Sequence, residues 1–291
     1  MDFITGQELL ERCKKEQFPI SYIMKCREAE HGILSNKEID EKLQTALSIM
    51  KAAANEPLIN PKRSIGGLIG GEAKRIEQHL VSENNIAGTL LSKAIAYSMA
   101  VLETNSSMGL IVAAPTAGSS GVIPGVLLAI QEAKNVSDQM LCSGLLNASA
   151  VGYLIMRNAT VSGAEAGCQA EVGASSAMAA SAAVEILGGT PEMCLHAASF
   201  ALSNLLGLVC DPIAGLVEAP CQSRNTIGAA NAITCAEIAL SGVTNIIPFD
   251  EMVDAMYRVG KGIPFELRET AMGGCAATPT GCSTCVSHGS L

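Results

Sequence analysis

The chain has 291 residues, enough for one large domain or two, and carries 19 Lys and Arg against 28 Asp and Glu, a formal net charge of −9. It has no Trp and few other aromatics, and no basic stripe, so a nucleic-acid surface is excluded. Eleven cysteines in no regular framework follow a charged N-terminus, MDFITGQELLERCKKEQ, that has no apolar signal run. Reduced thiols in a cytoplasmic protein are the expectation.

Residues 1–55 read as charged amphipathic helices. Thr5 caps the first, with Glu8 as its capping-box partner, and Pro19 ends it. A second helix is expected over 21–30. Ser35 and Glu38 open a third that runs to about residue 54, and Pro57 and Pro61 mark a break. Two Gly-Gly pairs in SIGGLIGGEAKRIEQHL precede another helix, and 87–103 forms the next. The stretch 104–131 contains no charged residue. The loop APTAGSSG divides it, and neither apolar flank reaches the ~20 residues that cross a bilayer. Apolar helices rich in Ala, Gly and Ser follow at 122–133, 138–156, 174–187, 191–206, 226–239 and 250–258, and the segment from Gly260 reads as irregular. With no βαβ rhythm and little period-2 alternation, the fold class is all-α. It is a compact bundle of Ala/Gly-rich helices over 1–291, with residues 1–60 a looser N-terminal part.

Three cysteines have neighbours poor in bulk and charge. They are Cys168 in GAEAGCQAEVG, Cys210 in GLVCDPIAG and Cys221 in VEAPCQSRN. Small neighbours let groups approach a thiol closely, and three thiolates suit an iron–sulfur cluster with one iron left open. Their intervals of 42 and 11 residues match no compact ferredoxin or zinc spacing, so on residues alone three buried core thiols are the favoured reading. The single CxxC, Cys282 and Cys285, is a redox pair, half a zinc site or a mobile tail. The loop 114–121 offers a glycine-rich helix start with hydroxyls, suited to a carboxylate or phosphate, or else a plain helix cap. Arg224, Lys261 and Arg268 are among the few cations after residue 104. Each is either an anion partner or one end of a surface ion pair.

Taken together, GGLIGGEAKRI, APTAGSSGVIPGVL, GAEAGCQAEVGASSAMAA, CDPIAGLVEAPCQSRN and GKGIPFELRETAMGG resemble the α chain of iron–sulfur L-serine dehydratases through nearly the whole chain. The resemblance implies a helical catalytic subunit with a [4Fe–4S] cluster on Cys168, Cys210 and Cys221, no pyridoxal phosphate, and a separate β chain as partner. The implied reaction is β-elimination of water from L-serine, giving pyruvate and ammonia, with a related lyase of L-cysteine or L-threonine as the alternative. For the serine carboxylate the expected donors are Thr116, Gly118, Ser119, Ser120 and Gly121; Lys261 is the catalytic candidate, as a substrate or cluster contact, and the base is unassigned, on this chain or on the β chain. Some fused relatives end on a cysteine that reaches the cluster. Here only Cys282 or Cys285 could imitate it, and Cys275 is expected to pack.

Overall fold

A computed structural model describes residues 1–32 and 34–288, the side chains of 285–288 excepted. In chain order the helices are α1 (Gly6–Glu16), α2 (Ile20–His31), α3 (Asn36–Ile59), α4 (Glu72–His79), α5 (Gly88–Ser106), α6 (Val122–Lys134), α7 (Asp138–Asn158), the single turn α8 (Gly163–Ala166), α9 (Ala174–Ile186), α10 (Pro191–Asn204), α11 (Cys221–Leu240), α12 (Phe249–Gly262) and α13 (Pro279–His288). Among the described residues there is no β-strand, so the all-α expectation holds.

The bundle is organised around α9. Its sequence, ASSAMAASAAVEI, has no polar face, and every residue but Glu185 is buried. A helix apolar all round belongs inside, and its small side chains let α6, α7, α10 and α11 surround it at close range. Its hydroxyls find partners on those neighbours. Ser176 donates to the Gly228 carbonyl at 2.8 Å and Ser181 to Asn147 Oδ1 at 2.6 Å. The apolar core is continuous from Phe3, ahead of α1, and Leu9 within it to Met256 in α12. One helix, α7, is long and apolar enough to cross a membrane, and over half of that stretch is buried inside the bundle.

Helix boundaries depart from the sequence reading in informative places. Thr5 caps α1 and Ser35 forms a full capping box with Glu38, as expected. Pro57 lies inside α3, which runs on to Ile59: so near the helix end the ring costs one hydrogen bond and no further turns. Helix α11 begins at Cys221, five residues before the expected start, because Pro220 sets the helix entry and QSRN forms its polar first turn. The segment after Gly260 is only partly irregular, since Pro279 opens α13.

Helix α2 has Pro19 at its N-cap, a residue with no side-chain acceptor. The cap comes from the central helix instead. Both Glu185 carboxylate oxygens accept the Ser21 N–H at 3.3 Å, and Oε2 accepts Asn147 Nδ2 at 2.7 Å. Glu185→Ala removes a helix cap and leaves a buried amide unpaired, so it is expected to cost about 2–4 kcal/mol in chemical denaturation. A loss below ~1 kcal/mol would show that water takes over the cap.

Candidate active site

Cys168, Cys210 and Cys221 are all buried and come from three separate segments. Cys168 follows α8 and leads into a π-helical turn, Gln169–Gly173, that feeds α9. Its position is fixed from both sides: the Gln169 N–H bonds the Leu208 carbonyl at 3.0 Å, and Gln169 Oε1 accepts the Gly207 N–H at 2.8 Å. Cys210 forms a short parallel bridge with the 267–269 segment. Its N–H donates to the Leu267 carbonyl at 2.8 Å and its carbonyl accepts the Glu269 N–H at 2.6 Å. Glu269 holds a left-handed backbone (φ 63°) to make that bond, a conformation rarely kept without need. Cys221 is the first residue of α11.

The thiols influence one another. Interaction with Cys168, then burial and the nearby Glu171 and Glu269 charges, push the Cys210 thiol far above its usual range. Burial, then the charges of Cys168 and Glu171, push Cys221 up to about 12, against the pull of Arg224.

Between the thiols and the 114–121 loop stands Glu171, in the π-helical turn. Its Oε1 accepts the Thr116 hydroxyl at 2.7 Å, and its Oε2 lies 3.9 Å from Cys210 Sγ. Burial raises its carboxyl above the ordinary range; the Thr116 bond opposes the shift and the Glu269 charge adds to it. Two glycines leave its flanks bare. A Cβ on Gly163 would lie 2.4 Å from Glu171 Oε2 and 3.2 Å from Cys210 Sγ, and one on Gly118 would lie 3.3 Å from Glu171 Oε1. Sequence reading missed Glu171. The available signal was an acid inside an otherwise small, apolar run three residues after Cys168.

The loop itself lies against the start of α11. Asn225 Nδ2 donates to the carbonyls of Gly118 (2.8 Å) and Cys221 (2.9 Å), and its Oδ1 accepts the Gly121 N–H at 3.0 Å. One side chain thus ties the loop to a cysteine. Ser119 is buried, with its Oγ 3.1 Å from Thr116 Oγ1, and the Ser120 hydroxyl donates to the Ala117 carbonyl at 2.7 Å. Of the five expected donors, Thr116 and Gly118 border Glu171; the Gly121 N–H and the Ser120 hydroxyl are spent within the fold.

A second glycine-rich loop braces the Cys221 turn. Buried Glu218 accepts the Ser64 hydroxyl (2.6 Å) and the N–H groups of Gly66 (2.7 Å) and Leu68 (2.9 Å). A Cβ on Gly66 would lie 2.2 Å from Leu216 Cδ1, which is why the SIGGLIGG segment is bare there. Buried Glu103 joins the same corner by accepting the Ala73 N–H at 2.9 Å and Gln222 Nε2 at 3.2 Å.

The cations are mostly engaged elsewhere. Arg224 Nη1 lies 2.5 Å from buried Asp211 and 2.9 Å from the Val209 carbonyl. Burial works against its charge, but Asp211 more than restores it. Asp211 also accepts the Cys275 N–H at 2.5 Å, which sets Cys275 beside this pair. Lys261 is an exposed partner of Glu165 at 2.6 Å, and Arg268 Nη1 donates to the Glu165 carbonyl at 3.3 Å. Cys282 is exposed, and the side chain of Cys285 lies outside the described residues.

Two features bear on whether these residues suit an iron–sulfur cluster. Soft thiols are the donors such clusters take. Gly163 and Gly118 keep side chains out of the space beside Cys210 and Glu171. Among the described residues no three donors converge tightly enough for a single ion; a multi-iron cluster asks for a wider set. The residues fit.

Comparison with known proteins assigns the family. The family model "Serine dehydratase alpha chain" matches residues 15–276. A probable L-serine dehydratase α chain of Bacillus subtilis is 46% identical over 96% of this chain and 93% of its own. The L-serine dehydratase α chain of Peptoniphilus asaccharolyticus is 44% identical over 95% of each. The L-serine dehydratase of Helicobacter pylori is 35% identical over 95% of this chain, which covers only 62% of that longer protein.

Proposed function

The chain belongs to the serine dehydratase α-chain family, and on that premise we propose that it is the catalytic subunit converting L-serine to pyruvate and ammonia. The observation that carries the reading is the meeting of Cys168, Cys210 and Cys221 with the 114–121 loop around Glu171. In it, Cys168, Cys210 and Cys221 would hold a [4Fe–4S] cluster. Bound there, the cluster supplies a Lewis-acidic iron for the departing hydroxyl oxygen.

The chain's own groups do the rest. The 114–121 loop would receive the substrate carboxylate on the side where Thr116 and Gly118 border Glu171. Glu171 fixes the Thr116 hydroxyl there. Asn225 locks the loop to Cys221, so carboxylate donors and thiols keep one spacing. Loss of the α-proton and the β-hydroxyl leaves an enamine that takes up water to give pyruvate and ammonia. No Schiff-base lysine enters, and pyridoxal phosphate is not required; Lys261 serves as a surface tie to Glu165.

The relatives named α chains match over almost their full length. That they are named α chains points to a β chain that completes the enzyme. Thiol-held clusters need reducing surroundings, so the reading places the complex in the cytoplasm.

The test is anaerobic purification, reconstitution with iron and sulfide, and a pyruvate assay on L-serine with and without the β chain, with L-threonine and L-cysteine alongside. Expected are a charge-transfer absorbance, iron held by the chain, and pyruvate from serine foremost. Iron-loaded complex that makes no pyruvate from L-serine would overturn the reading.

A further inference from the structure

We propose that Glu171 is the receptor for the α-ammonium group of the amino-acid substrate. The inference rests on the serine reading and adds a specificity-determining residue to it.

Glu171 is a largely enclosed carboxylate with poor company. Its hydrogen-bond partners are one neutral hydroxyl, Thr116, and the Cys210 thiol at 3.9 Å. Among the described residues no ion pair includes it, and the nearby charge is a second acid, Glu269. None of the cations around the site pairs with Glu171: Arg224 is held by Asp211 and the Val209 carbonyl, Lys261 by Glu165, and Arg268 reaches the Glu165 carbonyl with Nη1 while its buried Nε has no partner. A carboxylate withdrawn from water without a counter-charge is costly, so folds supply a partner or leave one to be supplied. An ammonium group meets the need with charge-assisted hydrogen bonds.

The position suits an α-amino acid. Ammonium and carboxylate sit on one carbon, so their receptors must adjoin. Glu171 adjoins the carboxylate loop through the 2.7 Å bond to Thr116, and the backbones of Gly163 and Gly118 approach its two oxygens so closely that no side chain stands there: a Cβ would lie 2.4 Å and 3.3 Å away. The thiols lie on its other side, where the β-hydroxyl of the same substrate would point.

A purely structural Glu171, serving only to hold Thr116, predicts a different outcome for Glu171→Gln. Gln retains an oxygen for the Thr116 hydroxyl and loses only the charge. The experiment uses the iron-loaded complex and two unreactive probes, L-alanine, which carries the ammonium, and propionate, which lacks it. Wild type is expected to bind L-alanine ~10- to 100-fold more tightly than propionate by calorimetry, and Glu171→Gln to erase that preference while iron content stays unchanged. KM for L-serine rises by a similar factor, and Glu171→Asp recovers part of it. A wild type with no preference, or a Gln variant that keeps it, overturns the proposal. The probe measurement needs no turnover, so it stands or falls separately from the pyruvate assay.

Discussion

Replacing any one of Cys168, Cys210 or Cys221 by Ala is expected to lower pyruvate formation about a thousandfold or more and to strip most of the iron. Each thiol comes from a different segment, so no neighbour can take over a lost position. A Lewis-acidic iron contributes several kcal/mol to charge that develops on a leaving oxygen, and ~4 kcal/mol is a factor of about a thousand. The informative controls are Cys194 and Cys235, which are as deeply buried but face helix packing. Cys235 lies against Asn204 and Asn231, and Cys194 inside the core around α10. Their Ala variants are expected to lose about 0.5–3 kcal/mol of stability while iron and turnover persist. Iron analysis, visible absorbance and the pyruvate assay on the same preparations separate the two groups. A Cys168, Cys210 or Cys221 variant with full iron and full turnover would remove that residue from the ligand set.

The helical class was legible because long runs of Ala, Ser and Gly without β-branched alternation have little other way to pack. The role of α9 was less so. A helix in the middle of a bundle has no polar face, and its periodicity carries no direction. The cysteines could be singled out by their small neighbours, but not their meeting: Cys168 and Cys210 are brought together by Gln169 bonding to residues 207 and 208. The donor-rich loop was equally visible, whereas the donors consumed by Asn225 and Ala117 were not, since Asn225 is 104 residues from Gly121. Glu171 was hidden for a related reason. The π-helical turn after Cys168 places its carboxylate between thiol and loop, and no spacing rule announces a single wide turn. Glu218 pairs with residues some 150 positions earlier, a contact that only the folded chain reveals.

Asp211→Ala is expected to destabilise the protein by about 3–5 kcal/mol, because it strands a half-buried guanidinium. Asp211 is 2% exposed, and its oxygens do two jobs: one pairs with Arg224 and the other accepts the Cys275 N–H. Gly274 must be glycine for the second contact, since its φ is +59° and a Cβ would fall 2.1 Å from Asp211 Oδ2. Losing the carboxylate therefore frees the 274–277 turn as well, and limited proteolysis should cut the C-terminal segment sooner. The separable cause is the charge. Breaking one partner of a buried pair costs more than the pair itself contributed, so removing the other partner should return part of the loss. Asp211→Ala combined with Arg224→Met is expected to unfold at a higher denaturant concentration than Asp211→Ala alone. If the double variant is no more stable than the single one, the loss comes from the Cys275 bond and packing. A single variant within ~1 kcal/mol of wild type would mean that water reaches Arg224 and the pair is not enclosed.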